Sequence, residues 1–527
     1  MSTMEVARGV SVAALLAAAG CGAWGDRLAC GDQGCEFTKD EWGRVKALAN
    51  VTATPVPPDT SNGYLPLADL TTGELLPDAA STPIVQLGHY LYFEPRLSGS
   101  AFDKDSTGAF APTTRELHCG QVGLSCASCH DPRHAGSDVT SVPRHVSVGA
   151  GWYDVNSQQT LNAARFSVLY WNGRTDALWA QAAQVMESAV SMNGYRTRTF
   201  WLIVTQYRAV YDAVGFVTPT AAAIDALATR LGATAPSLTS ATSQAFRDHF
   251  TNDLTGPEQD VVTQVHVNVA KAIAAYELLL TSDGSPFDRF VQEGPDSSAL
   301  APAAVRGLKL FVGRASCIDC HNTPMFSDGK FHNIGIGQSG AHVPTLETCT
   351  NKTCDCTPPP PSPTPPPSPT LPSSCLPSGA YGGRQKLLNP AMNQPFHRGG
   401  PYDDSGVVRA ADPTPPDERL KGAWRTPSLR DVALTAPYMH DGSLTTLPDV
   451  LWHYSEADGA TTFGASELAP LPLDGRDRDD LVAFLQSLTG TPTADNPLYE
   501  PLTPLAPMAA ASTACPPSAS ALVEGAR

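Results

Sequence analysis

Two short segments with the pattern Cys-x-x-Cys-His have the composition and spacing for covalent cofactor chemistry. In such a segment the two thiols can form thioethers with the vinyl groups of a haem, and the adjacent histidine can then ligate the iron. The sequence therefore predicts two covalently bound haem c groups with one proximal histidine each. The residues are Cys126, Cys129 and His130 in the first segment, and Cys317, Cys320 and His321 in the second.

The same four cysteines could instead bind one structural zinc ion, which takes four thiolates in tetrahedral geometry. Such a site does not require a histidine after each cysteine pair. The pattern therefore favours haem, and an apparent export signal favours it further, because c-type haem is attached outside the cytoplasm.

That signal occupies residues 1–20, where Arg8 precedes an apolar, alanine-rich run over residues 10–19. The run is too short to cross a bilayer, so it is typical of a removable signal peptide. Small residues directly before Cys21 resemble a bacterial lipobox, which predicts a lipid on Cys21 as the attachment to the membrane. Ordinary cleavage nearby fits the same composition. Either interpretation places the protein in the periplasm or cell envelope.

The remaining cysteines and the charge narrow the class of protein further. The chain has 13 cysteines, and eight remain once the haem segments and Cys21 are set aside, a number that fits disulfides in an oxidising compartment. The formal net charge of −17 argues against nucleic-acid binding and would attract a basic redox partner. The eight are Cys30, Cys35, Cys119, Cys349, Cys354, Cys356, Cys375 and Cys515.

Apolar spacing predicts a mainly α protein with two cytochrome c-like helical haem domains, long irregular loops and a proline-rich insertion. Helices are expected near residues 85–93, 176–192, 259–280, 302–313 and 474–488. Each haem segment follows a short apolar helix, which indicates an internal repeat. The predicted divisions are a signal peptide (1–20), a tether (21–82), an N-terminal haem domain (83–295), a C-terminal haem domain (296–338 and 421–490), a cysteine-containing insertion (339–420) and a tail (491–527).

Several motifs, in order, make the chain resemble the bacterial di-haem cytochrome c peroxidase and MauG superfamily. They are the segments 126–132, 171–174, 331–333, 425–430 and 435–442, the last reading Thr-Ala-Pro-Tyr-Met-His-Asp-Gly. The resemblance covers roughly residues 83–490 without the insertion. It implies that the N-terminal haem reacts with hydrogen peroxide and that the C-terminal haem transfers electrons.

The resemblance also implies ligands on the open side of each haem. Where the peroxidases carry a blocking histidine in a Gly-His-Gly-Trp loop, residues 149–152 have Ala150, so the N-terminal iron is expected to be open unless His145 replaces the blocking histidine. Tyr454 stands where the peroxidases have methionine and MauG has tyrosine, and is expected to ligate the C-terminal iron. A buried aromatic residue is the alternative, with Met439 and His453 as rival ligands.

Acid–base and bridging roles follow from the same resemblance. Gln181 matches the first of two polar residues beside the reactive haem, but Ser191 replaces the glutamate expected at the second. Glu187 lies one helical turn before Ser191 and is the predicted substitute, although a solvated glutamate fits the pattern equally well.

Trp171 matches a tryptophan between the haems. Asn156, Thr435 and Pro437 match positions that hold a calcium ion, and His440 and Asp441 are expected to orient groups near the second haem.

Three functions remain open at this point. A peroxidase would take electrons from a small cytochrome c or a copper protein. A MauG-like enzyme would oxidise tryptophan or tyrosine side chains of a partner protein. The absence of a glutamate at Ser191 is the best support for a third function, a di-haem electron carrier without catalysis.

Overall fold

The structure is a computed structural model of the chain. It describes residues 27–29, 36–49, 78–99, 102–104, 110–112, 123–138, 147, 149–150, 155–239, 242–337, 395–404, 418–456, 466–490 and 496–503. The predicted signal peptide, Cys21 and the eight cysteines expected in disulfides lie outside these ranges.

Helices dominate the described residues, as predicted, and the strands form three short antiparallel pairs. No helix in these ranges combines the length and apolar composition needed to cross a bilayer. The strands are β1 (Arg27–Ala29), β2 (Glu36–Thr38), β3 (Phe102–Lys104), β4 (Phe110–Pro112), β5 (Phe331–His332) and β6 (Trp424–Arg425). The helices are α1 (Lys39–Ala47), α2 (Pro83–Tyr92), α3 (Cys126–Cys129), α4 (Leu178–Glu187), α5 (Arg196–Leu202), α6 (Arg208–Val214), α7 (Ala221–Leu231), α8 (Ser243–Asp253), α9 (Gly256–Glu277), α10 (Pro286–Glu293), α11 (Pro302–Val312), α12 (Leu447–Glu456) and α13 (Gly475–Gln486).

The helices predicted around the haem segments are confirmed, and their ends have sequence causes. Helix α9 begins with a capping box in which Thr255 and Glu258 satisfy each other's backbone N–H groups. Helix α13 begins with the same device, formed by Asp474 and Asp477. By contrast, α5 was not predicted, because its four polar residues are followed by three apolar ones and so show no helical period, although all seven are buried.

Buried apolar side chains form two hydrophobic clusters, and a pair of crossing helices lies at the centre of each. In the first cluster α2 crosses α9, and in the second α11 crosses α13. Each crossing depends on a glycine: a Cβ at Gly88 would lie 1.9 Å from the Ala272 carbonyl oxygen, and one at Gly307 would lie 2.0 Å from that of Asp480. The same helix crossing therefore occurs twice in the chain.

This close approach makes Gly307 a sensitive position. We expect Gly307→Ala to lower the free energy of unfolding by about 1–3 kcal/mol, because the new methyl group must push α11 away from α13. Gly43→Ala is the matched control: Gly43 lies inside α1 with nothing within 4 Å of an added Cβ, and alanine should stabilise that helix by roughly 0.5–1 kcal/mol. Chemical denaturation measures both changes, and equal effects would contradict the crossing argument.

Part of the predicted tether is folded, so that prediction is wrong for residues 36–49. Phe37, Trp42, Val45 and Leu48 are buried in the second cluster, and the Trp42 ring lies edge-on to Phe290 at 5.7 Å between centroids. The capping box of Thr38 and Glu41 and the three-residue spacing of the last three apolar residues were available signals.

Short pieces of the predicted insertion and tail also pack on the first cluster. Phe396 is fully buried there, and its carbonyl oxygen accepts a hydrogen bond from Gln184 Nε2 at 3.0 Å. The buried Lys271 forms an ion pair with the more exposed Asp404. In the tail, Tyr499 packs against the same cluster. These segments therefore contribute to the folded body around the first haem segment.

Candidate active site

A cavity lies beside the first Cys-x-x-Cys-His segment and is lined by residues from both halves of the chain. Cys126, Cys129 and His130 contribute from the N-terminal half, and Arg425 and Tyr438 from the C-terminal half. The loop after the motif turns sharply at Gly136, where an added Cβ would lie 2.1 Å from Thr160 Oγ1. This turn holds the backbone close to the cavity wall and fixes the position of His130.

Both motif histidines are oriented as proximal haem ligands require. His130 Nδ1 lies 3.0 Å from the Gly136 carbonyl oxygen, and His321 Nδ1 lies 2.6 Å from that of Phe326. Burial lowers the pKa of both imidazoles and so favours their neutral form. With a proton on Nδ1, the lone pair of Nε2 is available to a metal. The residues present therefore fit haem.

The two cysteine pairs belong to different parts of the fold. Cys126 packs against the first hydrophobic cluster, whereas Cys317 packs against the second. A single zinc site that uses all four thiolates does not fit this arrangement, because the ligands of a zinc ion must meet within a few ångströms of each other.

The segment that carries Ala150 borders the first cavity through Gly149. The Ala150 side chain is fully buried, and its backbone N–H donates to the Ser191 carbonyl oxygen at 2.6 Å. Gly149 and Ser191 both line the cavity. Within the described residues, the loop position of the peroxidase histidine thus has a methyl group that cannot ligate iron. His145, the predicted substitute, lies outside the described residues.

The predicted acid–base residues differ in their placement. Gln181 lines the cavity, and its side chain hydrogen-bonds with Tyr170. Glu187 does not line the cavity; Arg196 Nε and Nη2 each donate to its carboxylate at 2.7 Å. Burial alone would raise the pKa of Glu187, but the hydrogen bonds and charge of Arg196 together with the nearby His266 lower it. The structure therefore presents Glu187 as one half of a buried ion pair.

Sequence reasoning missed Glu277, whose carboxyl group lines the same cavity. The side chain is 5% exposed, and Oε2 has no hydrogen-bond partner within the described part of the chain. Burial raises the pKa of Glu277 to about 8. A glutamate inside the apolar run of residues 265–280 was the available signal, since a buried carboxyl group requires an explanation.

Aromatic side chains connect the two halves of the chain next to the cavity. Trp171 Nε1 donates to the Asn156 carbonyl oxygen at 2.9 Å, and the Trp171 ring lies edge-on to His440 at 6.4 Å. The Trp424 ring stacks on His440 at 3.8 Å with an angle of 18°. Burial lowers the pKa of His440 to about 3, so this imidazole is neutral. The three rings form a continuous contact from Trp171 to Trp424.

The residues predicted to bind calcium lie close to one another, but their oxygen atoms are not arranged to bind a cation. Asn156 Nδ2 donates to the Pro437 carbonyl oxygen at 2.9 Å, and Asn156 Oδ1 accepts from Ser147 Oγ at 3.1 Å. Thr435 lies nearby in the cavity wall. Calcium binds oxygen atoms, and here the Asn156 oxygen is already used while its amide nitrogen faces Pro437. This donor set does not fit a calcium ion.

Tyr454 is the candidate nearest the second motif. It is half-buried on α12, and burial together with the neighbouring Cys317 and Cys320 raises its pKa. The rivals have other contacts: His453 Nε2 lies 2.7 Å from the Ile334 carbonyl oxygen, and Met439 lines the cavity of the first motif. The geometry therefore favours Tyr454 as the residue that faces the second haem position.

Comparisons with known proteins found a matching family model, similar sequences and a similar solved structure. A family model described as di-haem cytochrome c peroxidase matches residues 82–296. Cytochrome-c peroxidase IdrP1 of Denitromonas iodatirespirans is 27% identical over 411 residues, which cover 77% of this chain and 81% of that protein. Methylamine utilization protein MauG of Methylorubrum extorquens is 27% identical over 425 residues, covering 80% and 83%. The crystal structure of the diheme peroxidase BthA from Burkholderia thailandensis matches at 20% identity with a TM-score of 0.45, covering 81% of this chain and 89% of that one.

Proposed function

Because the chain belongs to the superfamily of di-haem cytochrome c peroxidases and MauG proteins, we propose that it reacts with hydrogen peroxide at the haem position of His130. One observation carries the proposal: Ala150, at the loop position of the peroxidase histidine, is buried directly after Gly149, which lines the cavity beside His130. A ligand position on that side of the haem is therefore free for a small reactant. The position beside His321 is closed by Tyr454 and serves electron storage and transfer.

When bound, haem c supplies the redox chemistry of this reaction. The protein supplies the side chains that hold the haem, contact the reactant and conduct electrons. His130 Nδ1 is held by the Gly136 carbonyl oxygen, which would leave Nε2 to bind the iron, and Gln181 would offer a polar side chain to a bound reactant. The stacked rings of Trp171, His440 and Trp424 provide a short aromatic route between the two halves for electrons.

The source of the electrons defines two versions of this function. A small cytochrome c or copper protein would make the protein a cytochrome c peroxidase, and the net charge of −17 would attract a basic donor of this kind. A partner protein oxidised at tryptophan or tyrosine would make it MauG-like. Ala150 and Tyr454 support the second version. The third candidate, a non-catalytic electron carrier, is supported by Ser191.

One experiment separates the three functions. The purified di-haem protein is mixed with stoichiometric hydrogen peroxide while its absorption spectrum is followed, and the mixture is repeated with reduced cytochrome c. Rapid oxidation of cytochrome c supports the peroxidase. A long-lived oxidised spectrum with slow cytochrome oxidation supports the MauG-like enzyme. Haems that do not respond to peroxide overturn both and leave the electron carrier.

Tyr454→Phe tests the assignment of the second haem position. Removing the phenol oxygen should change the absorption and paramagnetic resonance spectra of one haem and leave the other unchanged, because Tyr454 interacts with Cys317 and Cys320, the cysteines of the second motif. Tyr438→Phe is the matched control, since Tyr438 lines the other cavity and donates to the Val432 carbonyl oxygen. Spectra of Tyr454→Phe identical to those of the wild type would remove the ligand assignment.

The proposal includes export, because covalent haem attachment occurs outside the cytoplasm, and lipidation at Cys21 as the membrane attachment. Replacing Cys21 with serine should release the protein from the membrane fraction without changing its haem content. Release of the wild-type protein under the same conditions would argue for ordinary cleavage.

A further inference from the structure

Peroxide chemistry needs a group that moves a proton, and neither Ser191 at the matched position nor Glu187, the predicted substitute, provides a carboxyl group to the cavity. Ser191 has a hydroxyl group that donates to Ser188 Oγ at 3.0 Å, and Glu187 is paired with Arg196. Among the described residues that line the cavity, Glu277 contributes the one carboxyl group.

The surroundings of Glu277 favour its protonated form. The side chain is 5% exposed, and Oε2 has no partner among the described residues. Glu277 is the last residue of the 22-residue helix α9, where the partial negative charge of the helix end disfavours a carboxylate. Burial raises its pKa to about 8, so the group carries a proton at neutral pH and can lose it under mild conditions.

The groups that face Glu277 come from several elements and are mostly neutral acids. Tyr92 from α2, Tyr276 from α9, Tyr170 from the loop before α4 and Cys126 from α3 all lie within electrostatic range of its carboxyl group. Tyr170 also hydrogen-bonds with Gln181. Proton-carrying side chains therefore extend from Glu277 towards the residue expected beside the bound reactant.

We infer that Glu277 is the acid–base residue of the His130 cavity, in the role that the resemblance would assign to a glutamate at position 191. This inference rests on the proposed peroxide reaction. The Glu277 carboxyl group donates its proton to the outer peroxide oxygen, which leaves as water with the electron pair of the O–O bond. The resulting carboxylate takes up the proton of the inner oxygen. No proton is consumed at Glu277, and the two electrons that reduce the peroxide would be supplied by the two bound haems.

The test compares Glu277→Gln, Glu277→Asp and the control Glu258→Gln in the full-length di-haem protein. Glu258 lies at the other end of the same helix in a capping box, where glutamine is accepted. We expect Glu277→Gln to slow the spectral reaction with peroxide by about 10²–10⁴-fold, the range of general acid–base catalysis, with partial recovery in Glu277→Asp. Binding of imidazole to the open haem should be unchanged, because it requires no proton transfer from the protein.

Infrared spectra supply a readout that does not depend on turnover. The wild type and Glu258→Gln should show a buried carboxylic acid band that shifts in D2O, and Glu277→Gln should lack it. Peroxide reaction of Glu277→Gln at the wild-type rate, absence of the band in the wild type, or loss of haem from both Glu277 variants would each overturn the inference. A wild-type protein that shows the band but does not react with peroxide would instead overturn the proposed function.

Discussion

Replacing Cys126 and Cys129 with alanine should yield a protein with one covalent haem that no longer reacts with hydrogen peroxide. The reason is the division of the fold: the two cysteines line the cavity beside His130, whereas Cys317 of the other pair packs against the second hydrophobic cluster. The haem that remains is the one beside Tyr454, whose phenol is proposed to take the position that a reactant would need. Mass spectrometry and haem absorption measure the attachment, and stopped-flow absorption measures the reaction.

The reciprocal variant, with alanine at Cys317 and Cys320, is the matched control. It should also retain one covalent haem but should still respond to one equivalent of peroxide, because His130 and its cavity are unchanged. Subsequent reduction by an external donor should be lost along with the second haem. If the first variant reacted with peroxide and the second did not, the roles of the two haems would be reversed. Bound zinc in place of haem would contradict the cofactor assignment altogether.

The sequence was sufficient for the features that depend on local pattern. The two haem segments, the apolar helices before them and the capped starts of α9 and α13 could be predicted, because residue type and spacing determine them directly. The expectation that Ala150 stands at the position of a ligating histidine came from the resemblance. Residue spacing alone does not show which loop lies beside a haem, or that Ala150 bonds to Ser191.

Features that depend on distant contacts could not be predicted in the same way. Glu187 and Arg196 are nine residues apart and belong to different helices, so helical periodicity could not predict their ion pair. The role of Glu277 depends on which cavity the end of α9 reaches. The stack of Trp424 on His440 joins residues 16 positions apart through the fold of the loop between them. In each case the sequence showed an unusual polar or aromatic residue, but it did not show which residue or cavity that side chain contacts.

Arg430 provides the second large expected effect, this time on stability. Its guanidinium group is almost fully buried and bonds both Asp288 oxygens, at 2.8 and 3.0 Å, while Nε donates to the Pro324 carbonyl oxygen at 2.6 Å. Arg430→Met should lower the free energy of unfolding by about 3–5 kcal/mol, because it leaves the Asp288 carboxylate buried without its partner. The exposed pair of Asp40 and Arg44 is the control: Asp40→Asn should cost about 0–1 kcal/mol.

The double variant Arg430→Met with Asp288→Asn should recover part of the lost stability, since no unpaired charge remains. The pH dependence provides a further check. Burial alone would raise the pKa of Asp288, but the hydrogen bonds from Arg430 outweigh it and lower the folded-state pKa below the unfolded value near ~4. The stability from this pair is therefore complete above the unfolded pKa and is lost as the pH falls through the lower folded value.

In Arg430→Met the same carboxyl group keeps its burial and loses the arginine, so its folded pKa should rise above the unfolded one and the sign of the dependence should reverse. Acidification from neutral pH towards the unfolded pKa should then narrow the difference in unfolding free energy between wild type and variant, because protonation relieves the unpaired charge in the variant first. Chemical denaturation at a series of pH values measures this difference. A gap that stays constant from neutral pH to below pH ~4 would show that Arg430 acts through packing and not through the charge of Asp288.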